Sequence, residues 1–198
     1  MTDSFLERLA QPRPDPGGAA AAAYACTVGL ALVEKIVRLE IRREGNQGDF
    51  WPRRAGEVQL LSERIHHLRE EDSLAYLRLA RTRNSGATYR DREIAIAQAV
   101  ACPSDMIETA RGGLDCVFLV GRHCKVHLVP DLQVACELMG AAGMGAYHIA
   151  AANLRLLRDA SLLTLRQSQL SAILEAFLKQ YQAAKHELAL ITESVSRG

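Results

Sequence analysis

Leu170-Ser-Ala-Ile-Leu-Glu-Ala-Phe-Leu-Lys-Gln-Tyr-Gln-Ala-Ala-Lys-His-Glu-Leu-Ala-Leu-Ile-Thr-Glu-Ser-Val195 decides the fold class. Its Leu170, Leu174, Phe177, Tyr181, Ala184, Leu188, Ile191 and Val195 follow one another at steps that alternate four and three throughout. Only an α-helix returns side chains to one face at that spacing. The helix begins at about Leu165, and its seam packs either lengthwise on its own bundle or against a second subunit.

Upstream segments repeat the pattern. From about Arg54 to Arg83 the stripe is Val58, Leu61, Ile65, Leu68, Ala75 and Leu79, and position 72 falls on the same seam. Ser4 to Leu9 is a short first element, followed by the stiff run Gln11-Pro-Arg-Pro-Asp-Pro-Gly-Gly18. There Asp15 reads as an N-cap with Pro16 at the first helical position. The helix after it, to about Arg42, is apolar nearly all round and predicts a place in the middle of a bundle. Glu44 to Pro52 reads as a loop and Arg83 to Ala87 as a break. Two helices are expected at Asp91 to Ala101 and Pro103 to Arg111, and a long one from Pro130-Asp131 to about Arg158. Leu114 to Val129 reads either as two short strands about Gly121 or as a buried helix and a linker. Gly140, Gly143 and Gly145 lie in a helical pattern with no strand before them, which favours close helix packing or a kink over a dinucleotide site. The fold class is therefore all-α: a multi-helix bundle with long antiparallel helices, organised as one domain over 1–198.

Composition narrows the function. The 198 residues are 48% hydrophobic and 24% charged, an ordinary balance for a globule. Lys+Arg number 24 against 23 Asp+Glu, so there is no global pull on nucleic acid or anionic lipid. Aromatics are 5%, too few for single-strand stacking platforms. The 5 cysteines are odd in number, lack CxxC spacing, and read as reduced small hydrophobes of a cytoplasmic protein. Ala19 to Val33 is too short and Ala-rich for a membrane span. No basic n-region precedes it, as a secretory leader would need.

Asp72 is the most informative single residue. A carboxylate on an apolar seam is costly unless it is paired, perhaps with one of the many Arg, or has a task. Asp131 stands in the first turn of its helix, where an acid caps and complements the dipole. Gly17-Gly18 leads into a helix start whose free amides suit a carboxylate or phosphate. His123 and His127 are four apart, but no third and fourth ligands stand at the usual spacing and no metal is assigned. His66 and His67 read as solvated. No Gly-x-Ser-x-Gly elbow is present.

Several of these pieces together resemble one family. Phe5-Leu-Glu-Arg-Leu-Ala-Gln-Pro-Arg-Pro-Asp-Pro-Gly-Gly18 is similar to its opening, Glu71-Asp-Ser-Leu-Ala-Tyr76 to its acidic segment, and Asp131-Leu-Gln-Val-Ala135 to a later one. Gly145-Ala146, Asn153 and Asp159 follow in order. The family is the cyclodeaminase/methenyltetrahydrofolate cyclohydrolase group, also found as the C-terminal domain of formiminotransferase-cyclodeaminase. Departures are Ala19-Ala20 in place of Gly-Ser, Glu40-Ile-Arg-Arg-Glu44 in place of a basic segment, Pro130 for Ser, Lys125 for Asn and Ile149 for Asn.

The resemblance implies an all-helical homodimer that takes a tetrahydrofolate or related reduced pterin as substrate, with no tightly bound cofactor. It removes the two-strand reading of Leu114 to Val129. It implies either hydrolysis of the 5,10-methenyl bridge or cyclisation of the formimino form with loss of ammonia. The alternative is a non-catalytic pterin- or partner-binding dimer. Asp72 and Asp131 become the expected catalytic acids, and Gly17, Gly18, Arg42, Arg43 and Asn153 the expected substrate contacts. One constraint is geometric. Asp131 and Asn153 lie ~33 Å apart along an unbroken helix at ~1.5 Å per residue. Either the glycines break that helix, or only one of the pair matters, or the site lies between subunits; the last is favoured.

Overall fold

The computed structural model describes residues 4–44, 48–84 and 86–196. It contains α1 (Ser4–Leu9), α2 (Gly18–Glu44), α3 (Phe50–Asn84), α4 (Tyr89–Gly121), a 3-10 turn (Val126–Leu128), α5 (Val129–Leu154) and α6 (Ala160–Ser196). No strand occurs among the described residues. The all-α bundle expected from the periodicity is what forms. The 45–47 part of the expected loop and Ser85 of the expected break lie outside the described residues, as does the side chain of Val195.

α5 packs on α2, α4 and α6, and α3 packs on α2 and α4. α2 and α5 run antiparallel: Lys35 meets Asp131 near one end of the pair, and Gly18 meets Ile149 near the other. The α6 seam is spent inside the chain, with Leu170, Phe177, Ala184 and Leu188 buried. That settles the choice between bundle and subunit contact for those residues. The α3 stripe is likewise buried at Val58, Ile65, Leu68, Ala75 and Leu79. Gly140 and Gly143 do provide close packing. Tyr181 and Phe177 of α6 lie where a Cβ would stand, 2.6 Å and 2.3 Å away respectively. The helix is not broken there, so α5 runs straight from Asp131 to Asn153.

Four expectations are corrected. Asp15 does not cap α2, which starts at Gly18; its carboxylate instead accepts a hydrogen bond from Ser73 Oγ at 2.8 Å. α3 begins at Phe50, earlier than Arg54, because Trp51 is buried at 4% exposure and draws the first turn into the core. The helices expected to separate at Pro103 are one, and residues 114–121 continue it. α2 is not fully enclosed. Cys26, Leu30, Val33, Ile36 and Val37 are buried, but Val28 and Leu39 are exposed on the opposite face. Its Gly18–Arg43 stretch is long and apolar enough to cross a membrane by length and composition, with half of the test window buried inside the chain.

The continuity of α4 has a local cause. Proline has no N–H, so Pro103 leaves the Ala99 carbonyl without its usual helical donor four residues on. Asn153 of α5 supplies the missing one: its Nδ2 donates to Ala99 O at 2.7 Å. Thr88 closes the other end of α4 with a reciprocal capping box to Asp91.

Candidate functional site

The loop before α2, the middle of α3, α4 and the C-terminal part of α5 converge on a cleft of about 210 Å³. Gly17, Gly18, Asp72, Tyr76, Asn153 and Asp15 line it, among others. Four of the seven expected site residues (Gly17, Gly18, Asp72 and Asn153) therefore meet here. Asp15 and Tyr76 are additions. The sequence signal for Asp15 was present, an acid inside the same Pro-Gly turn, but its reading as a cap concealed it. A cleft below the ~300–1,000 Å³ of drug-sized sites takes one ring system and leaves the rest of a longer ligand outside.

Each lining group is fixed by its element. α2 begins at Gly18, so its first amides have no intrahelical acceptor and remain donors at the cleft wall. Both glycines are there for space. A Cβ on Gly17 would meet Pro14 O at 3.2 Å, and one on Gly18 would meet Ile149 Cδ1 at 3.2 Å. Asn153 spends one N–H on Ala99 O. Its second N–H and its carbonyl oxygen are the groups left for a ligand.

Asp72 sits between buried Leu68 and Ala75 on the α3 seam, but is itself half-buried at the cleft rather than sealed in the core. No hydrogen bond or ion pair holds it among the described residues, so the expected buried Arg partner is not there. Burial first, and the nearby Asp15 carboxylate second, push its pKa up to about 6. It thus exchanges a proton close to neutral pH, as a general acid–base needs. Cys102 lies nearby, but burial drives its thiol to about 12, which leaves it inert.

The remaining expected residues lie elsewhere. Asp131 is at the far end of α5, where Lys35 Nζ contacts its Oδ2 at 2.7 Å. Arg42 and Arg43 are at the C-terminal end of α2, ~36 Å along the helix from Gly18. Arg43 is ion-paired with Glu40, which is 1% exposed and also accepts the Lys125 N–H at 2.8 Å. That assembly ties α2 to the turn before α5. His123 packs its ring on Phe50 with centroids 4.1 Å apart. His66 and His67 are exposed, as expected. Among the described residues no three His, Cys, Asp or Glu are grouped to hold a metal ion. All five cysteines are free thiols.

A larger cleft, about 400 Å³, lies between α3 and α4. Its Arg64 is already engaged by Asp105 at 2.5 Å and by Glu71 at 4.0 Å. Balanced charges there offer a ligand less than the uncompensated carboxylate of the smaller cleft.

The bond from Asn153 to Ala99 O gives a direct test of this local architecture. Asn153→Ala should lower stability by ~1–3 kcal/mol, the cost of leaving a buried carbonyl unpaired. Pro103→Ala restores the helical donor, and most of that loss should disappear in the Pro103→Ala/Asn153→Ala double variant. Urea denaturation midpoints check it; equal losses with and without Pro103 would refute the pairing.

Comparison with known proteins bears on this cleft. A family described as formiminotransferase-cyclodeaminase matches residues 1–172. No curated protein matches the chain by sequence. Among solved structures, the chain is similar to the formiminotetrahydrofolate cyclodeaminase of Thermotoga maritima, with a TM-score of 0.86, 18% identity and 94% of each chain covered. At that identity the likeness establishes the fold.

Proposed function

We propose, on the premise that this chain belongs to the formiminotransferase-cyclodeaminase family, that it cyclises a formimino-tetrahydrofolate, or the same group on a related reduced pterin, with release of ammonia. The observation that carries the reading is the unpaired Asp72 carboxylate, lifted to about pH 6, in a ring-sized cleft beside helix-start amides.

The chemistry asks for one proton to be moved. The formimino group on nitrogen-5 carries its charge as an amidinium. Nitrogen-10 attacks the amidinium carbon and gives a tetrahedral carbon bearing three nitrogens. Nitrogen-10 must then lose its proton and the departing nitrogen must gain one. The bond to that nitrogen breaks, ammonia leaves, and the positive charge remains on the 5,10-methenyl bridge. A carboxylate titrating near 6 takes the proton from nitrogen-10 and returns it to the amine, with no net change in itself. Its negative charge also opposes the cationic carbon. The Gly18 and Ala19 amides and the free N–H and oxygen of Asn153 orient the ring. The substrate is a small molecule of the cytoplasm, the active species is a homodimer, and no tightly held cofactor takes part.

The test is spectroscopic. With formimino-tetrahydrofolate, near-ultraviolet absorbance of the methenyl product should rise in step with ammonia release. With methenyl-tetrahydrofolate, bleaching would assign hydrolysis of the bridge instead. Ala19 and Ala20 stand where the family has Gly-Ser, and the missing hydroxyl favours a second reading, a pterin-binding protein without turnover. Ligand binding by calorimetry with neither absorbance change nor ammonia would establish that reading and remove the enzymatic one.

A further inference from the structure

The outward side of α5 carries Val134, Leu138, Ala141, Gly145, His148 and Ala152 at steps of four and three in alternation. Val134, Ala141, His148 and Ala152 are exposed and the other two half-buried. Val134, Leu138 and Ala141 line a shallow depression of about 390 Å³. On α2, Ala21, Ala25, Val28 and Leu32 repeat that spacing and are half-buried or exposed. Scattered apolar surface residues need no explanation, but a continuous stripe along two neighbouring helices marks a contact surface. Asp131 is the next position on the α5 stripe, three before Val134, and Lys35 is the next on the α2 stripe, three after Leu32. These two form an exposed ion pair at the end of the face away from the cleft.

From this the geometry points to a second copy of the chain as the occupant, packed antiparallel on the α2–α5 face about Ala141, so that the partner subunit's Asp131 and Lys35 complete each cleft beside Asn153. The arrangement rests on the folate reading only for the identity of the ligand.

Three observations favour a second copy. First, an isologous contact sets position 141+n opposite 141−n. Val134 then faces the partner's His148, and Ala151 faces the partner's Asp131. The apolar stretch covers itself, with small Ala141 at the axis and Gly145 one turn on, where backbones must approach closely. Second, the charges are complementary. The cleft end holds Asp15 and Asp72, and Asp72 has no counter-charge among the described residues; the opposite end presents the Lys35 cation. Antiparallel pairing brings that cation to those acids. Third, unbroken α5 keeps Asp131 and Asn153 of one chain ~33 Å apart, so only a second chain unites them.

The test is a disulfide that one chain cannot form. In an Asp131→Cys/Ala152→Cys variant, with half-buried Cys124 replaced by Ser, the two new thiols lie ~32 Å apart within a chain, far outside disulfide reach. Mild oxidation should give a covalent dimer on non-reducing gels, Ala141→Cys alone should give one too, and Asp131→Cys alone should not. As a second measurement, co-expressed Asp72→Asn and Asp131→Asn chains should recover on the order of a quarter of the wild-type rate, because half the dimers are mixed and each holds one intact cleft. A chain that sediments as a monomer, or an Asp131→Cys chain that links to itself, overturns the arrangement. Mixed dimers without recovered activity, beside an active wild type, overturn the contribution of Asp131. If cross-links form as expected but no ammonia is released by the wild type, the two-subunit cleft stands and the folate reaction falls.

Discussion

Asp72→Asn is expected to lower kcat by ~100- to 10,000-fold, the usual span for loss of a general acid–base, while making the folded protein more stable above pH 6. The two effects have one origin. An ionised carboxylate is held where the fold disfavours charge, and its pKa rises from an ordinary ~3.9 to about 6. A folded pKa above the unfolded one contributes stability that is fully present below about pH 4 and is lost as pH rises through about 6. At ~1.36 kcal/mol per pH unit that loss reaches ~3 kcal/mol, less whatever solvent at the cleft mouth screens. Asparagine carries no charge to desolvate. The difference in melting temperature between variant and wild type should therefore be small at pH 4, grow to pH 6 and level off. Turnover supplies the matching limb. Proton acceptance needs the ionised form, so wild-type kcat/KM should fall as pH drops below about 6. Unchanged turnover in the variant, or a stability difference independent of pH, would remove Asp72 from the mechanism.

Gly143→Ala should cost ~3 kcal/mol of stability and lower Tm by ~6–12 °C. The new methyl would stand 2.3 Å from Phe177 Cζ, and Phe177 is fully buried with no room to turn. Phe177→Leu should relieve the clash. The double variant should then be more stable than the sum of the single losses predicts, by up to ~3 kcal/mol. Gly56→Ala in α3 is the contrast, because nothing lies within 4 Å of its would-be Cβ. There the gain in helix propensity should leave stability equal or ~0.4–1 kcal/mol higher. Chemical denaturation of the four variants checks the set. A Gly143→Ala protein as stable as wild type would mean that α5 and α6 slide freely past one another.

The bundle was legible because its signals are local. The alternation from Leu170 to Leu188 needs only helix geometry to be read, and so does the stripe from Val58 to Leu79. What escaped was tertiary. Pro103 divides a helix on every local rule, and nothing nearby in sequence tells that Asn153, 50 positions later, replaces the lost donor. Asp15 shows the same limit: a residue that satisfies every cap rule is held instead by Ser73 across the loop–helix contact. At the site, the seam position of Asp72 was readable from spacing. Its approach to Gly17, Gly18 and Asn153 followed from the order of motifs and not from the physics of any one segment. Asp131, Arg42 and Arg43 were grouped with the others for their chemistry, and helix length alone carries them away.

The amide of Asn153 has one consequence for how such a chain can change. Half of its hydrogen-bonding capacity mends the gap that proline makes in a neighbouring helix, and half is open to whatever occupies the hollow. Positions 103 and 153 are thus bound in one bargain. A descendant that traded the imino acid for an ordinary residue would release that amide for new ligand preferences, whereas one that kept it could vary residue 153 only by loosening its own scaffold.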